Sequence, residues 1–257
     1  MDTIVQRFAV THLRRRPEAV ETGGFVAGFD PATTSPHLNY ATPLPGAEPT
    51  PADVRALIDA FRSRGLLPRL EFAPAAAPGA ERALRDAGFT TEAEHTYLLC
   101  TPAALVVPPG PEAGGPAVEA PYGDEDFRAI DAALGEAFGG VFAPSPEGAA
   151  RLRRTEDGGG AVRFVRAPDG SCAGGASCSA PAVGTCELAG VGTRPAFRGR
   201  GIAAAVTAAL TGAMFDRGAE SVWLEYGGDG SRRVYERVGF RTGGTRLYLS
   251  LAPAPTG

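Results

Sequence analysis

The sequence predicts an α/β fold in which a central mixed sheet is flanked by helices, built as two similar halves. A short apolar run, a glycine-containing turn and an alanine-rich apolar segment follow one another between Thr185 and Phe215, the pattern of strand, turn and helix. Each half also ends in a strand, a helix that stops at Gly-Phe, and a further strand. Breaker residues crowd the stretch from Thr101 to Pro121. We therefore expect domains at residues 1–105 and 117–257, joined by a Pro/Gly-rich linker at 106–116.

In the first half, the residues from Asn39 to Pro45 lead into a helix that begins at Thr50 or Asp53. The chain then predicts a strand at Leu70–Phe72, a short helix at Gly79–Asp86 that ends at Gly88-Phe89, and a strand containing Tyr97. The counterparts in the second half are Leu224–Tyr226, Ser231–Val238, Gly239-Phe240 and Tyr248. This similarity indicates a duplicated architecture, although chance also explains so few matches.

The second half opens with helical periodicity from Asp124 to Phe138, followed by a second short helix from Pro144 to Arg154. Strands are expected at Ala161–Val165, Cys172–Ala180 and Thr185–Gly192. The alanine-rich helix, the strand Val222–Glu225, the Gly-Phe helix and a last strand complete the order α-α-β-β-β-α-β-α-β.

The turn Arg198-Gly199-Arg200-Gly201 at the start of the alanine-rich helix predicts a phosphate site. The first amides of a helix have no internal acceptor, and glycines let a large anion approach them. A P-loop is excluded because it requires a lysine and all 25 basic residues are arginine. Gly199 to Ala204 also fits the dinucleotide pattern, with Glu225 as the ribose-binding acid. Against that alternative, residues 194–198 separate the strand from the first glycine, where a tight turn is required.

The segment resembles the acyl-CoA-binding motif of the GNAT superfamily of N-acetyltransferases, with Arg198, Gly201 and Ala203 at the three defining places. The resemblance implies that the amides of Gly199, Arg200, Gly201, Ile202, Ala203 and Ala204 hold the CoA pyrophosphate. It also implies that Val191, Gly192 and Thr193 bind the pantetheine arm. A strand–helix turn that binds nothing is the alternative for the motif alone.

The segment Val234-Tyr-Glu-Arg-Val-Gly-Phe240 resembles the second hallmark of the same family. Gly239 is suited to end the helix because glycine accepts positive φ. The resemblance implies that Tyr235 is the general acid that protonates the departing thiolate of CoA; a tyrosine that only packs in the core is the alternative. The sequence departs from the family at Gly228, where an asparagine is usual.

Transfer to an amine also needs a proton acceptor, and Glu187 is the candidate. It stands 11 residues before Arg198, and several members of the family it resembles place a catalytic glutamate at that distance before the loop arginine. Partial burial on a strand would raise the pKa of its carboxyl towards neutrality. Glu225, Glu236 and a chain of water molecules are alternatives. Cys178 and Cys186 have no evident histidine partner, so we expect direct transfer without an acyl-enzyme.

Bulk properties agree with this hypothesis. The net charge of −4 argues against a nucleic-acid partner, and the longest apolar stretch is too short to span a bilayer. Four cysteines and three histidines form no cluster at metal-ligand spacing, and reduced thiols with no visible secretory signal favour a cytoplasmic protein. We expect an N-acetyltransferase that uses acetyl-CoA and no metal, with a small-molecule or peptide amine as acceptor. A non-catalytic acyl-CoA-binding sensor or scaffold is the alternative, and the sequence leaves a homodimer open. The first half is expected to bind no CoA, because prolines crowd the start of its helix near Thr50 and proline has no N–H to offer a phosphate.

Overall fold

The computed structural model describes residues 1–141 and 143–252 and divides the chain into two compact units. The first unit contains Met1–Tyr97 together with the chain from Gly243 onward, and the second contains Leu98–Thr242. The boundary differs from the predicted domains at the last strand, which is grouped with the first unit although it was expected to complete the second. Phe142 and residues 253–257, which the predicted second domain includes, lie outside the described residues.

The first unit follows the order α-β-β-β-α-β-α-β. Its elements are α1 (Asp2–Arg14), β1 (Glu18–Thr22), β2 (Phe25–Phe29), β3 (Tyr40–Pro43), α2 (Pro51–Arg62), β4 (Arg69–Phe72), α3 (Pro78–Asp86) and β5 (Thr90–Cys100).

The second unit has the order β-α-α-β-β-β-α-β-α, and one more strand follows it. Its elements are β6 (Val118–Glu119), α4 (Asp124–Ala137), α5 (Pro146–Asp157), β7 (Ala161–Arg166), β8 (Cys172–Cys178), β9 (Thr185–Thr193), α6 (Ile202–Asp216), β10 (Ser221–Glu225) and α7 (Asp229–Val238), followed by β11 (Arg241–Ser250).

Both units have a mixed sheet. In the first, β1, β2 and β3 are antiparallel, β4 runs parallel to β3, and β11 runs antiparallel to β4. In the second, β6 to β9 are antiparallel and β10 runs parallel to β9. The expected α/β fold with a mixed sheet and flanking helices is confirmed.

The core of the first unit consists of apolar side chains from β2, α2, β4 and α3. Phe29 and Phe61 meet edge to face with ring centroids 5.0 Å apart, a favourable aromatic geometry. Helix α2 begins where the sequence indicated: Thr50 is its N-cap, and the Thr50 amide donates a hydrogen bond to the Asp53 carboxylate at 2.8 Å. These contacts fix α2 against the sheet.

In the second unit, helices cover both faces of the sheet. A Cβ at Gly174 would contact Ile202 of α6, whereas one at Gly175 would contact Ile130 of α4. Because neighbouring strand residues point to opposite faces, α6 and α4 lie on opposite sides of β8. Small residues in β8 allow both helices to approach the backbone closely.

None of the described helices is both long enough and apolar enough to cross a membrane. Within the same residues, no group of three or more His, Cys, Asp or Glu side chains has the arrangement of a metal site.

Candidate functional site

The site is built around the place where two parallel strands separate. Pairing between β9 and β10 runs from Thr185 and Ser221 to Glu187 and Trp223. Beyond this point β9 continues to Thr193, and its register with β8 shifts near Gly190, which has φ of +65°. Such a bulge bends a strand and increases its local twist. The carboxyl ends of β9 and β10 therefore open like a V, with Glu187 at the last paired position.

A loop with two left-handed glycines connects β9 to α6. Gly199 and Gly201 both have φ of +77°, a conformation that side chains disfavour. Gly201 is the N-cap of α6, and the first helical amide donor to reach it is Ala205. The amides of Ile202, Ala203 and Ala204 thus have no acceptor in the helix. A Cβ on Gly199 would meet no atom within 4 Å, so the volume beside this glycine is open.

The arginines of the loop are directed at backbone carbonyls. The guanidinium of Arg198 donates hydrogen bonds to the Thr193 carbonyl at 3.3 Å and to the Ala137 carbonyl at 3.0 Å. Arg198 thereby holds the end of α4 against the end of β9. Arg200 lies over the ring of Phe197 at 5.2 Å and donates to the Ala196 carbonyl at 3.2 Å. In this structure Arg198 braces the loop, and its predicted phosphate contact stays a prediction.

The V, the loop and α7 enclose a cavity of about 390 Å³. Of the ten residues predicted to bind the acyl donor, nine line this cavity, and Arg200 is the exception. The sequence argument missed the contributions of α4 and α7 to the wall. Four residues of α7 line the cavity: Gly230, Ser231, Val234 and Arg237. Their spacings of one, three and four place them on one face of the helix, so the sequence pattern could have identified them.

Tyr235 is on α7 but does not belong to the lining of that cavity. Its side chain is buried, 6% exposed, and its ring meets Phe240 edge to face at 6.2 Å. Burial raises the pKa of the Tyr235 phenol to about 12. The hydroxyl therefore keeps its proton throughout the physiological pH range, a condition that a proton donor must meet.

Glu187 is half-buried on β9 at the apex of the V and does not line the cavity. Its backbone pairs with Ser179, whose amide donates to the Glu187 carbonyl at 2.8 Å. Of the alternative bases, Glu236 forms an ion pair with Arg232 one helical turn away, at 2.7 Å. Glu225 is half-buried at the end of β10.

All four cysteines are free and buried. Burial raises the pKa of the Cys178 thiol well above its ordinary value, and the Cys186 thiol beside it acts in the same direction. Thiols that resist ionisation are weak nucleophiles, so Cys178 is unsuited to a covalent route.

Comparisons with known proteins agree with this geometry. Residues 127–240, which lie within the second unit, match the model of the acetyltransferase (GNAT) family. No curated protein is significantly similar in sequence.

Solved structures cover nearly the whole chain. A GCN5-related N-acetyltransferase from Kribbella flavida has a TM-score of 0.79 and 26% identity over 100% of this chain and 97% of its own. A GCN5-related N-acetyltransferase from Sphaerobacter thermophilus has a TM-score of 0.60 and 18% identity, over 89% and 76%. A tandem GNAT protein from the clavulanic acid biosynthesis pathway has a TM-score of 0.58 and 12% identity, over 98% and 96%.

Proposed function

With a GNAT fold and a GNAT acetyltransferase segment as the premise, we propose that the chain transfers the acetyl group of acetyl-CoA directly to an amine of a small molecule or peptide. The observation that carries this proposal is the cavity itself. It combines the open ends of β9 and β10 with the unpartnered first amides of α6. Extended amide chains suit a gap between strands, and phosphates suit a helix N-terminus.

The residues present fit a bound acyl-CoA. Gly199 and Gly201 leave the volume in front of the α6 amides free, since a Cβ on Gly201 would meet only Pro116, at 3.9 Å. Val191 and Thr193 line the cavity from the opened part of β9, where backbone groups are available to the pantetheine amides. The pyrophosphate would lie against Ile202 to Ala204.

When bound, acetyl-CoA supplies a thioester whose carbonyl carbon bonds to the amine nitrogen as its C–S bond breaks. Tyr235 then donates its phenolic proton to the departing sulfur; its pKa of about 12 in the free protein keeps it protonated and makes it a weaker acid than an ordinary tyrosine. The proton that the amine loses passes to the carboxylate of Glu187, either directly or through water. The reaction balances, because Glu187 gains the proton that the amine loses and Tyr235 supplies the proton that the CoA sulfur gains.

One observation favours a second candidate, a non-catalytic acyl-CoA-binding module. Tyr235 is buried against Phe240 and is not exposed to the cavity. If the helix does not turn this hydroxyl towards the thioester when the ligand binds, the site would bind acyl-CoA without turnover.

Calorimetric titration with acetyl-CoA, beside NAD, tests both candidates and the dinucleotide alternative. Gly201→Asp places a carboxylate in the cradle and should abolish binding. Tyr235→Phe and Glu187→Gln should bind normally, because neither residue lines the cavity. An amine screen with thiol detection then follows. Normal binding by Gly201→Asp would contradict the proposed site, and binding without CoA release from any amine would favour the non-catalytic module.

A further inference from the structure

The first unit repeats the strand arrangement that forms the V of the second. In each unit three antiparallel strands are followed by a helix and then by a strand parallel to the third. Strands β3 and β4 therefore correspond to β9 and β10. β3 and β4 pair at Ala41 and Leu70. One residue further on, the Thr42 hydroxyl of β3 donates a hydrogen bond to the Glu71 carbonyl of β4 at 2.8 Å. The ends of β3 and β4 have thus begun to separate.

The gap between them is filled by one side chain, Gln6 from α1. Its amide nitrogen donates to the Pro43 carbonyl at 2.6 Å and to the Thr42 hydroxyl at 2.8 Å, both on β3. Its amide oxygen accepts a hydrogen bond from the Ala73 amide, just after β4, at 2.9 Å. Gln6 is 1% exposed. A single carboxamide therefore joins both strands beyond the paired position of Ala41 and Leu70.

This bonding pattern is that of an amide ligand between two strands. The carbonyl of Pro43 and the amide of Ala73 would be unsatisfied and buried without Gln6, which is costly. A secondary amide from an inserted chain offers one N–H for the Pro43 carbonyl and one carbonyl for the Ala73 amide, which leaves only the bond to the Thr42 hydroxyl unmatched. In the second unit the corresponding gap opens into the cavity at Val191 and Thr193.

The counterpart of the phosphate cradle is bordered by an exposed carboxylate, that of Glu48. Glu48 is three residues before the first residue of α2, as Gly199 is before α6. Its carboxylate lies directly over Gly79 of α3 and pairs with Arg82 at 3.1 Å. It borders a cleft of about 400 Å³ between α2 and α3.

We propose that the first unit retains the pantetheine slot of its fold and keeps it closed with the side chain of Gln6, whose carboxamide takes the place of a pantetheine amide. The proposal rests on the proposed function, since it takes the gap between β9 and β10 as a pantetheine site. Removing Gln6 then creates a site for pantetheine amides in the first unit.

The test uses the full chain carrying Gly201→Asp, so that the second unit contributes no binding. Within that parent, Gln6→Ala removes the equivalent of acetamide, whereas Gln6→Met keeps the slot filled without an amide. Melting temperatures are measured with no ligand, with acetamide and with pantetheine. Gln6→Asn, one methylene shorter, replaces Gln6→Ala if the alanine variant does not fold.

We expect pantetheine near ten times its dissociation constant to raise the melting temperature of Gln6→Ala by about 3–6 °C and that of Gln6→Met not at all. Rescue by acetamide alone would overturn the proposal, because the amide bridge would then be structural only. Equal responses of the two variants, or none, would overturn it as well. Acetyl-CoA binding in the first unit of the parent would overturn the proposal too, because the slot would then be open with Gln6 in place. Failure of Gly201→Asp to abolish binding in the second unit would contradict the proposed function instead.

Discussion

Gly239 and Gly218 allow the packing of Ala104 and its neighbours on α7 to be measured by a matched pair of substitutions. Both glycines end helices in the left-handed region, with φ of +105° and +84°. A Cβ on Gly218 would meet no atom within 4 Å. A Cβ on Gly239 would overlap the Ala104 carbonyl oxygen and lie 2.8 Å from its carbon, well inside normal carbon–carbon contact.

Gly218→Ala should therefore cost only the left-handed backbone term, about 1–2 kcal/mol. Gly239→Ala adds the displacement of the Ala104 backbone, which also moves the neighbouring bond from the Val106 amide to the Val238 carbonyl, 2.9 Å long. Overpacking of this kind adds about 1–3 kcal/mol. The total of about 2–5 kcal/mol corresponds to a fall in melting temperature of roughly 4–20 °C at about 2–4 °C per kcal/mol.

Trp223 provides the assay, because it is the single tryptophan and is fully buried in the second unit. Its fluorescence during urea unfolding gives the free energy of unfolding of both variants. Equal losses for Gly239→Ala and Gly218→Ala would refute the reasoning, since the segment at Ala104 would then move aside without cost.

Three further outcomes follow from the structure. Tyr235→Phe should lower kcat by about 10²–10⁴-fold and leave the acetyl-CoA Kd unchanged, whereas Tyr226→Phe should keep the wild-type kcat. Because the pKa of Tyr235 is about 12, no loss of activity from its ionisation is expected below about pH 11. Burial, with Arg16 and Arg15 nearby, lowers the pKa of His12 from 6.5 to about 4, so its contribution to stability is complete above pH 6.5 and is lost as the pH falls to 4. Wild type should thus lose about 3 kcal/mol more free energy of unfolding than His12→Gln over that range, and equal losses would contradict this pKa. Thiol titration at pH 8 should label none of the four buried cysteines quickly before denaturation and all four after it; rapid labelling of the folded chain would contradict their burial.

Local signals predicted much of the second unit. The positive φ of Gly239 ends α7 as expected, and the glycines at 199 and 201 form the turn that the motif indicated. The predicted strands of the C-terminal half are all present, with bounds that differ by a few residues. No helix was predicted at α1, although its apolar residues recur at helical spacing and could have indicated one: Val5, Phe8, Ala9 and Leu13.

Other features have no local signal. The burial of Tyr235 depends on how α7 packs, and the bridge from Gln6 joins residues 36 to 67 positions away. The partner of β11 is likewise set by long-range pairing, because an alternating strand pattern identifies a strand but not its neighbour. The roles of Tyr235 and Glu187 and the predicted domain boundaries stay predictions.

The grouping of β11 with the first unit bears on the order of synthesis. Leu247 to Ser250 pair with Arg69 to Phe72, so the edge of β4 obtains this neighbour only when the last strand has been translated. At about 5–20 residues per second, synthesis of the intervening chain takes roughly 9–35 s. Throughout that interval β4 presents unpaired backbone groups on the side that β11 later covers, the kind of edge on which chains aggregate. The nascent protein is therefore most dependent on chaperones while its second unit is being made, and a chain truncated before Arg241 leaves that edge uncovered.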